Sequence, residues 1–332
     1  MITPGARLAL PLRLAVFAVY LALLPWTSQV WLKTGDEPHY LVAAASLARD
    51  GDLDLRNNYD PAVYLDWYTA NNLTPHVKTR ADGAEFLIHT YGLPFLIAPA
   101  FWLAGARGLG ILLAGLGALL AGEVYLLSYQ VTRDWRASLL GSLVVALSPP
   151  VIWYVFLVYP ELPGALAVII AIRVLIRPAP GWRAWLAFGL ALAALPWLSA
   201  RFLPVVIALG ALAVWKVIAF SSENTVGAYN YTPLQRLNFA GFIDSSLLPL
   251  LLIPISLIGL ALFNAALYSH PAPTASFAGD INSPATLSWS VLLQFIRGVL
   301  GWLMDHQRGL FVAAPVYLAA FIGLGQWLWR RE

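Results

Sequence analysis

The sequence predicts an all-α, polytopic membrane protein, and three observations lead to that fold class. Hydrophobic residues make up 60% of the 332 positions and charged residues only 11%, with a mean hydropathy of +0.71, well beyond the range of soluble domains. The apolar residues come in repeated runs near the roughly 20 residues a helix needs to cross a bilayer. The polar stretches between those runs gather arginines and acids into short clusters, as loops at a membrane face do. Several function classes fall away at once. Cysteine is absent, which excludes disulfides and thiolate metal centres. There is no phosphate-binding glycine loop, HExxH, GxSxG or dinucleotide fingerprint. A net charge of +3 gives no reason to expect a nucleic-acid partner.

Taken in order, the first apolar run, Leu8 to Trp31, is too long for a signal peptide, carries Pro11 and Pro25, and has no small-residue cleavage site after it. It reads as a retained anchor. A polar region then spans 32–107, the first outer loop. It opens on Gly35-Asp36-Glu37-Pro38-His39-Tyr40-Leu41, where Pro38 suits a first helical turn and the two acids complement the helix dipole. An amphipathic run follows and ends near Gly51, before a turn-rich strip from Asp50 to Tyr59. The loop closes near Asp82–Glu85. The apolar piece from Phe95 to Ala106, short and interrupted by Pro99, is expected to lie in the interface.

About eight spans are expected in all, near 8–31, 108–130, 137–157, 162–177, 183–200, 202–220, 247–269 and 310–329, with Pro149-Pro150 breaking the third. If 91–106 does not cross, Arg7, Arg13, Arg133, Arg136, Arg173 and Arg177 fall on the side of the N-terminus, together with later basic residues. The opposite short loops then keep only Arg201, Arg297 and Arg308, with Arg107 at a span end. That asymmetry places both termini in the cytoplasm. A last outer loop covers 270–309 and carries an amphipathic stretch, Leu287 to Leu303, before Asp305-His306-Gln307-Arg308-Gly309. No soluble domain is visible, so 1–332 reads as one transmembrane domain.

On the outer side, in this topology, lie the candidate site residues. Ionisable groups near membrane depth are costly unless paired or lining a wet cavity, so they mark functional positions. The adjacent acids Asp36 and Glu37 are the candidate catalytic pair: a carboxylate takes a proton from an acceptor hydroxyl while its neighbour orients the base or holds a metal. His39, His89, Tyr91, Arg107, Glu161, Arg201, His306 and Arg308 are the candidate substrate-binding residues. Arginines clamp phosphate through charge-assisted, bidentate bonds, and snorkelling to lipid headgroups is the alternative for each. Trp67, Tyr68 and Tyr91 are placed to stack on a sugar. Glu85 and His270 are the candidate metal ligands, a divalent metal being the one cofactor these donors suggest. Glu123 falls inside the second span, where an interhelical hydrogen bond is its expected role.

Five stretches resemble a known family: GDEPHYL with the following DGDLDLRNNYD, IHTYGLPFL, VYPELPGAL, WLSARFLP and DHQRGLFVAAPVY. One span, then an acidic pair opening a large outer loop, then an interfacial helix is similar to the GT-C superfamily of polyprenyl-phosphate-sugar glycosyltransferases. The nearest branches are the protein O-mannosyltransferases and the lipid A aminoarabinose transferases. The resemblance implies an inverting transfer of a sugar from a polyprenyl-phosphate donor to a glycan, lipid or protein acceptor on the non-cytoplasmic face of a bacterial plasma membrane. It implies Asp36 as the base, Glu37 as its partner, His89 toward the lipid phosphate and Arg107 near the donor. The family's Lys/His-Pro-Pro element is replaced here by His89-Thr90-Tyr91-Gly92-Leu93-Pro94. Family members usually carry more spans beyond the region ending here at Arg331, so the resemblance implies a fragment or a minimal version. A non-enzymatic protein, such as a lipid-linked-sugar flippase or a transporter component, is the alternative that the residues leave open.

Overall fold

The computed structural model describes residues 4–30, 33–65, 67–68, 72–226 and 248–276, with parts of 297–326. The described chain is predominantly helical. Four tracts are long and apolar enough to cross a membrane: Ala9–Thr27, Gly92–Thr132, Ala200–Ala219 and Leu248–Tyr268. Their outward faces carry large apolar side chains, among them Trp102, Leu103, Ile207 and Trp215, all more than two-thirds exposed. Contiguous apolar surface of that kind is a liability in water and ordinary in lipid. This is the pattern of a membrane protein.

Helix boundaries fall where Pro and polar residues put them. α1 (Ala9–Val30) is followed by the short turn at Gly35 and then by α2 (Glu37–Arg49), with Pro38 in its first turn. α3 (Pro61–Tyr64) is capped by Asp60, whose side chain accepts from the Ala62 N–H. Two short strands, β1 (Val77–Thr79) and β2 (Glu85–Leu87), pair antiparallel with Val77 opposite Leu87. This hairpin corrects the all-α expectation locally: Glu85 lies on a strand, so Glu85 and His89 do not share a helix face.

α4 (Gly92–Thr132) contains both the piece expected at the interface and the second expected span. Pro99 sits inside it, and the break falls later, at Ala104 and Gly105, whose backbone is non-helical. α5 (Trp135–Leu147) ends before Pro149-Pro150, and α6 (Val151–Phe156) follows it. α7 (Glu161–Leu175), α8 (Trp182–Leu198), α9 (Leu203–Val226) and α10 (Leu252–Tyr268) complete the described helices up to Tyr268. A 3₁₀ turn, Ala200–Phe202, joins α8 to α9. Most of the stretch 287–303, and the residues His306 and Arg308, lie outside the described residues.

Buried polar contacts tie the helices together, as expected where lipid removes the hydrophobic drive for helix association. The Tyr20 hydroxyl donates to the Ala146 carbonyl at 2.7 Å, and Ser142 Oγ donates to the Ala121 carbonyl at 2.6 Å. Trp197 Nε1 donates to Ser256 Oγ at 3.0 Å, which in turn donates to the Ala193 carbonyl at 2.7 Å. Glu123 makes the interhelical contact expected of it and more. It accepts from Arg13 of α1 at 2.6 Å and from Arg173 of α7, so one carboxylate joins three helices.

α4 and α8 meet backbone to backbone at Gly92. A Cβ at that position would stand 2.3 Å from the carbonyl carbon and oxygen of Trp197 and 2.7 Å from the Leu198 nitrogen. None of those atoms can rotate away, so Gly92→Ala must push the helices apart. Overpacking of this kind costs about 1–3 kcal/mol. Gly92→Ala is therefore expected to unfold at a lower temperature than wild type in detergent, by circular dichroism. Retained stability would show that the contact is looser than described.

Candidate functional site

Most of the site is built from the first loop, and α2 is its floor. The amphipathic pattern predicted for this helix does not describe it: every residue from Glu37 to Ser46 is buried. α2 is a core helix around which the loop is wrapped. Its N-terminus is fixed by Glu37, only 1% exposed. One carboxylate oxygen accepts from the Val158 N–H at 2.8 Å, and the other accepts from the Thr34 N–H at 3.3 Å. Lys33 Nζ stands 3.7 Å from it. Glu37 therefore locks α2 to the segment between α6 and α7. These contacts give it a structural role, and it does not line the cleft described next.

Asp36 behaves differently. It occupies the N-cap position of α2, where an aspartate ordinarily accepts from the helix's own N–H groups, yet its side chain makes no cap hydrogen bond. The carboxylate turns instead toward a cleft of about 540 Å³ lined by Asp36, Tyr40, His89, Thr90, Ser199 and Arg201, among others. Its side chain is 40% exposed, and Oδ1 lies 3.4 Å from His89 Nε2. Gly35 permits the approach. Its φ is +60°, and a Cβ there would lie 2.8 Å from the Tyr159 hydroxyl, so a side chain would meet both left-handed strain and a clash.

Three tethers bring distant stretches to this cleft. The Thr90 hydroxyl donates to the Leu198 carbonyl at 2.7 Å, fixing His89 beside the turn that carries Arg201. Tyr268 donates to the Leu87 carbonyl at 2.7 Å, and Lys78 Nζ donates to the Ala275 carbonyl at 2.9 Å, which hold the hairpin against the end of α10. Arg201 stands over the cleft with its side chain 72% exposed, 3.5 Å from Glu161 at the start of α7. An ion pair so exposed contributes little to stability, which leaves the guanidinium available to an anion.

Other predicted site residues serve the framework. The Tyr91 hydroxyl accepts from the Leu87 N–H and donates to the Leu53 carbonyl, both at 3.0 Å, and its residue is buried. It cannot stack on a sugar. Trp67 packs edge-on against Phe101 and Tyr68 against Tyr64, again away from the cleft. Arg107 is exposed on α4 just past its bend and does not line the cleft. The predicted metal pair, Glu85 and His270, is not among the ligand-type groups that converge among the described residues. Glu85 belongs to β2, while exposed His270 accepts from the Ala272 N–H at 3.2 Å through Nδ1.

His39 does not reach the cleft either. Its ring stacks on His76 with centroids 3.7 Å apart, and its Nδ1 lies 2.9 Å from the Tyr59 hydroxyl. That hydroxyl also accepts from the His76 backbone N–H at 3.2 Å. Burial, then the neighbouring His76 and His89, push the His39 imidazole down to about 3. Burial also lowers His89, against the opposing pull of Asp36. Both shifts favour the neutral imidazole.

The residue that the sequence reading missed is His76. Among the described residues one group of metal-ligand type converges, Asp36, His76 and His89, with donor atoms within 4.8 Å of one another. A signal was present: three of the five histidines fall between positions 39 and 89 of one loop. Comparison of the chain with protein-family models, curated proteins and solved structures gives no match.

Proposed function

We propose that this cleft is the active site of a GT-C-type membrane glycosyltransferase, a multi-pass protein of about eight spans with both termini cytoplasmic. The observation that carries the reading is the convergence of Asp36, His89 and Arg201, from three separated stretches, on one open cleft beside apolar helices. A sugar on a polyprenyl phosphate presents an apolar tail, a phosphate and a glycosyl group in that order. The cleft offers partners for the two polar parts. Arg201 binds the phosphate by charge-assisted bonds. Asp36, turned away from its helix and in contact with solvent, accepts the proton of an acceptor hydroxyl. The oxygen so released attacks the anomeric carbon from the face opposite the phosphate. The bond from that carbon to the phosphate oxygen breaks, and polyprenyl phosphate leaves with the electron pair, its charge met by Arg201. The anomeric configuration inverts. A divalent metal at this site would supply Lewis-acid stabilisation of the leaving phosphate.

The test has two parts. Mass spectrometry of envelope glycans, glycolipids and glycoproteins, with and without the gene, is expected to reveal one missing sugar. Transfer is then measured with the purified protein in proteoliposomes and the corresponding polyprenyl-phosphate donor. Arg201→Ala is expected to raise the KM for that donor by about 10–100-fold, the worth of a hydrogen bond to a charged group. Movement of the lipid-linked sugar across the bilayer without transfer would assign the chain to the flippase class instead.

A further inference from the structure

Asp36, His76 and His89 come together from three places: the cap of α2, the residue before β1 and the segment after β2. Two imidazoles and one carboxylate are a donor set used by many metalloproteins with an open coordination position. The spacing supports the same reading. An ion with bonds of about 2.0–2.2 Å in tetrahedral geometry holds its donors about 3.4 Å apart, and the Asp36 Oδ1 to His89 Nε2 separation is 3.4 Å. The third donor lies within 4.8 Å of the other two.

A second observation concerns His76 itself. Nδ1 of His76 is buried and has no hydrogen-bond partner among the described residues. A buried polar atom left so is costly, and neighbours position the residue. His39 stacks on one face, and the Tyr59 hydroxyl holds both the His76 N–H and the His39 ring. Metal-ligating histidines are commonly oriented by such neighbours. Here the neighbours fix the ring while a nitrogen is left without a partner.

We propose that Asp36, His76 and His89 bind one divalent cation of the borderline class, Zn²⁺ in preference to Mg²⁺ or Ca²⁺. Two nitrogen donors and one oxygen favour that class over hard, oxygen-seeking ions. The cation uses Asp36 Oδ1 and leaves Oδ2 of the same carboxylate for the proton of an acceptor. His39 and Tyr59 act as positioning residues, touching His76 and not the ion. Asp36 and His89 line the cleft together with Arg201, so cation and guanidinium face one space suited to an anionic group such as a phosphate.

Metal binding is read directly, so its outcome is separable from that of sugar transfer. The full chain, purified in detergent and stripped with a chelator, is titrated with Zn²⁺ and separately with Mg²⁺ by calorimetry, and its Co²⁺ form is examined by visible absorption. One Zn²⁺ per chain and a low-symmetry Co²⁺ spectrum are expected, with no Mg²⁺ heat at the same concentrations. His76→Ala is expected to weaken Zn²⁺ binding by more than about 100-fold, beyond the 10–100-fold typical of losing an outer-shell contact. His270→Ala is expected to leave it unchanged. Wild-type protein that takes up no stoichiometric Zn²⁺ overturns the proposal, as does uptake insensitive to His76→Ala. Should His76→Ala not fold, thermal unfolding of the wild type with and without Zn²⁺ decides. A midpoint that does not rise with Zn²⁺ concentration refutes the site, because a ligand bound only by the folded state must raise it.

Discussion

Asp36→Asn is expected to lower kcat for sugar transfer by roughly 10²–10⁴-fold, the contribution of a well-placed general base. The substitution preserves shape and removes the charge and the capacity to take a proton, and with them the anionic ligand of the cation site inferred above. It should cost little stability, because the Asp36 side chain makes no cap bond to lose and is 40% exposed. Circular dichroism and detergent elution are therefore expected to match wild type, which separates a chemical defect from a folding one. Asp36→Glu keeps the charge on a longer arm and should recover part of the rate. Glu37→Gln provides the contrast. Its carboxylate accepts from two backbone N–H groups, so its loss should appear first as a lower unfolding temperature and only through that as lost activity. Wild-type transfer by Asp36→Asn would remove the base from the mechanism.

The contrast between these two neighbours shows how far the sequence could be read. Adjacent acids after a span are visible as a pair, but which one faces the cleft depends on a contact with Val158, 121 residues away. No local pattern encodes that. Helix ends marked by Pro38 and Pro149-Pro150 were legible because proline acts through its own backbone. The bend in α4 was not, since Pro99 is the obvious candidate and the break falls at Ala104 and Gly105. α2 reads as amphipathic because its charged residues sit at its ends, yet tertiary packing buries ten consecutive residues from Glu37 to Ser46. His76 lies between a proline and a short strand with no period around it. It becomes a ligand candidate only when the hairpin folds back on α2.

Glu123→Ala is expected to destabilise the protein by about 3–5 kcal/mol, the cost of removing one partner from a buried ionic cluster. Glu123 is the sole acid between Arg13 and Arg173 among the described ion pairs, with side chains 13%, 26% and 12% exposed. Its removal leaves two like charges facing one another where α1, α4 and α7 meet, within apolar helices that cannot hydrate them well. Glu123→Gln keeps an acceptor and should fall between wild type and Glu123→Ala. Replacing all three residues by apolar ones of similar volume is expected to recover most of the stability, because no charge is then left unpaired. The cluster lies 12 residues along α7 from Glu161, or about 18 Å at 1.5 Å per residue. Glu123→Ala should therefore reduce the amount of folded protein while leaving the turnover of each folded molecule unchanged. Thermal unfolding in detergent, read alongside activity normalised to folded protein, checks both halves. An unfolding midpoint equal to wild type would mean that the arginines find other partners or water when the acid is gone.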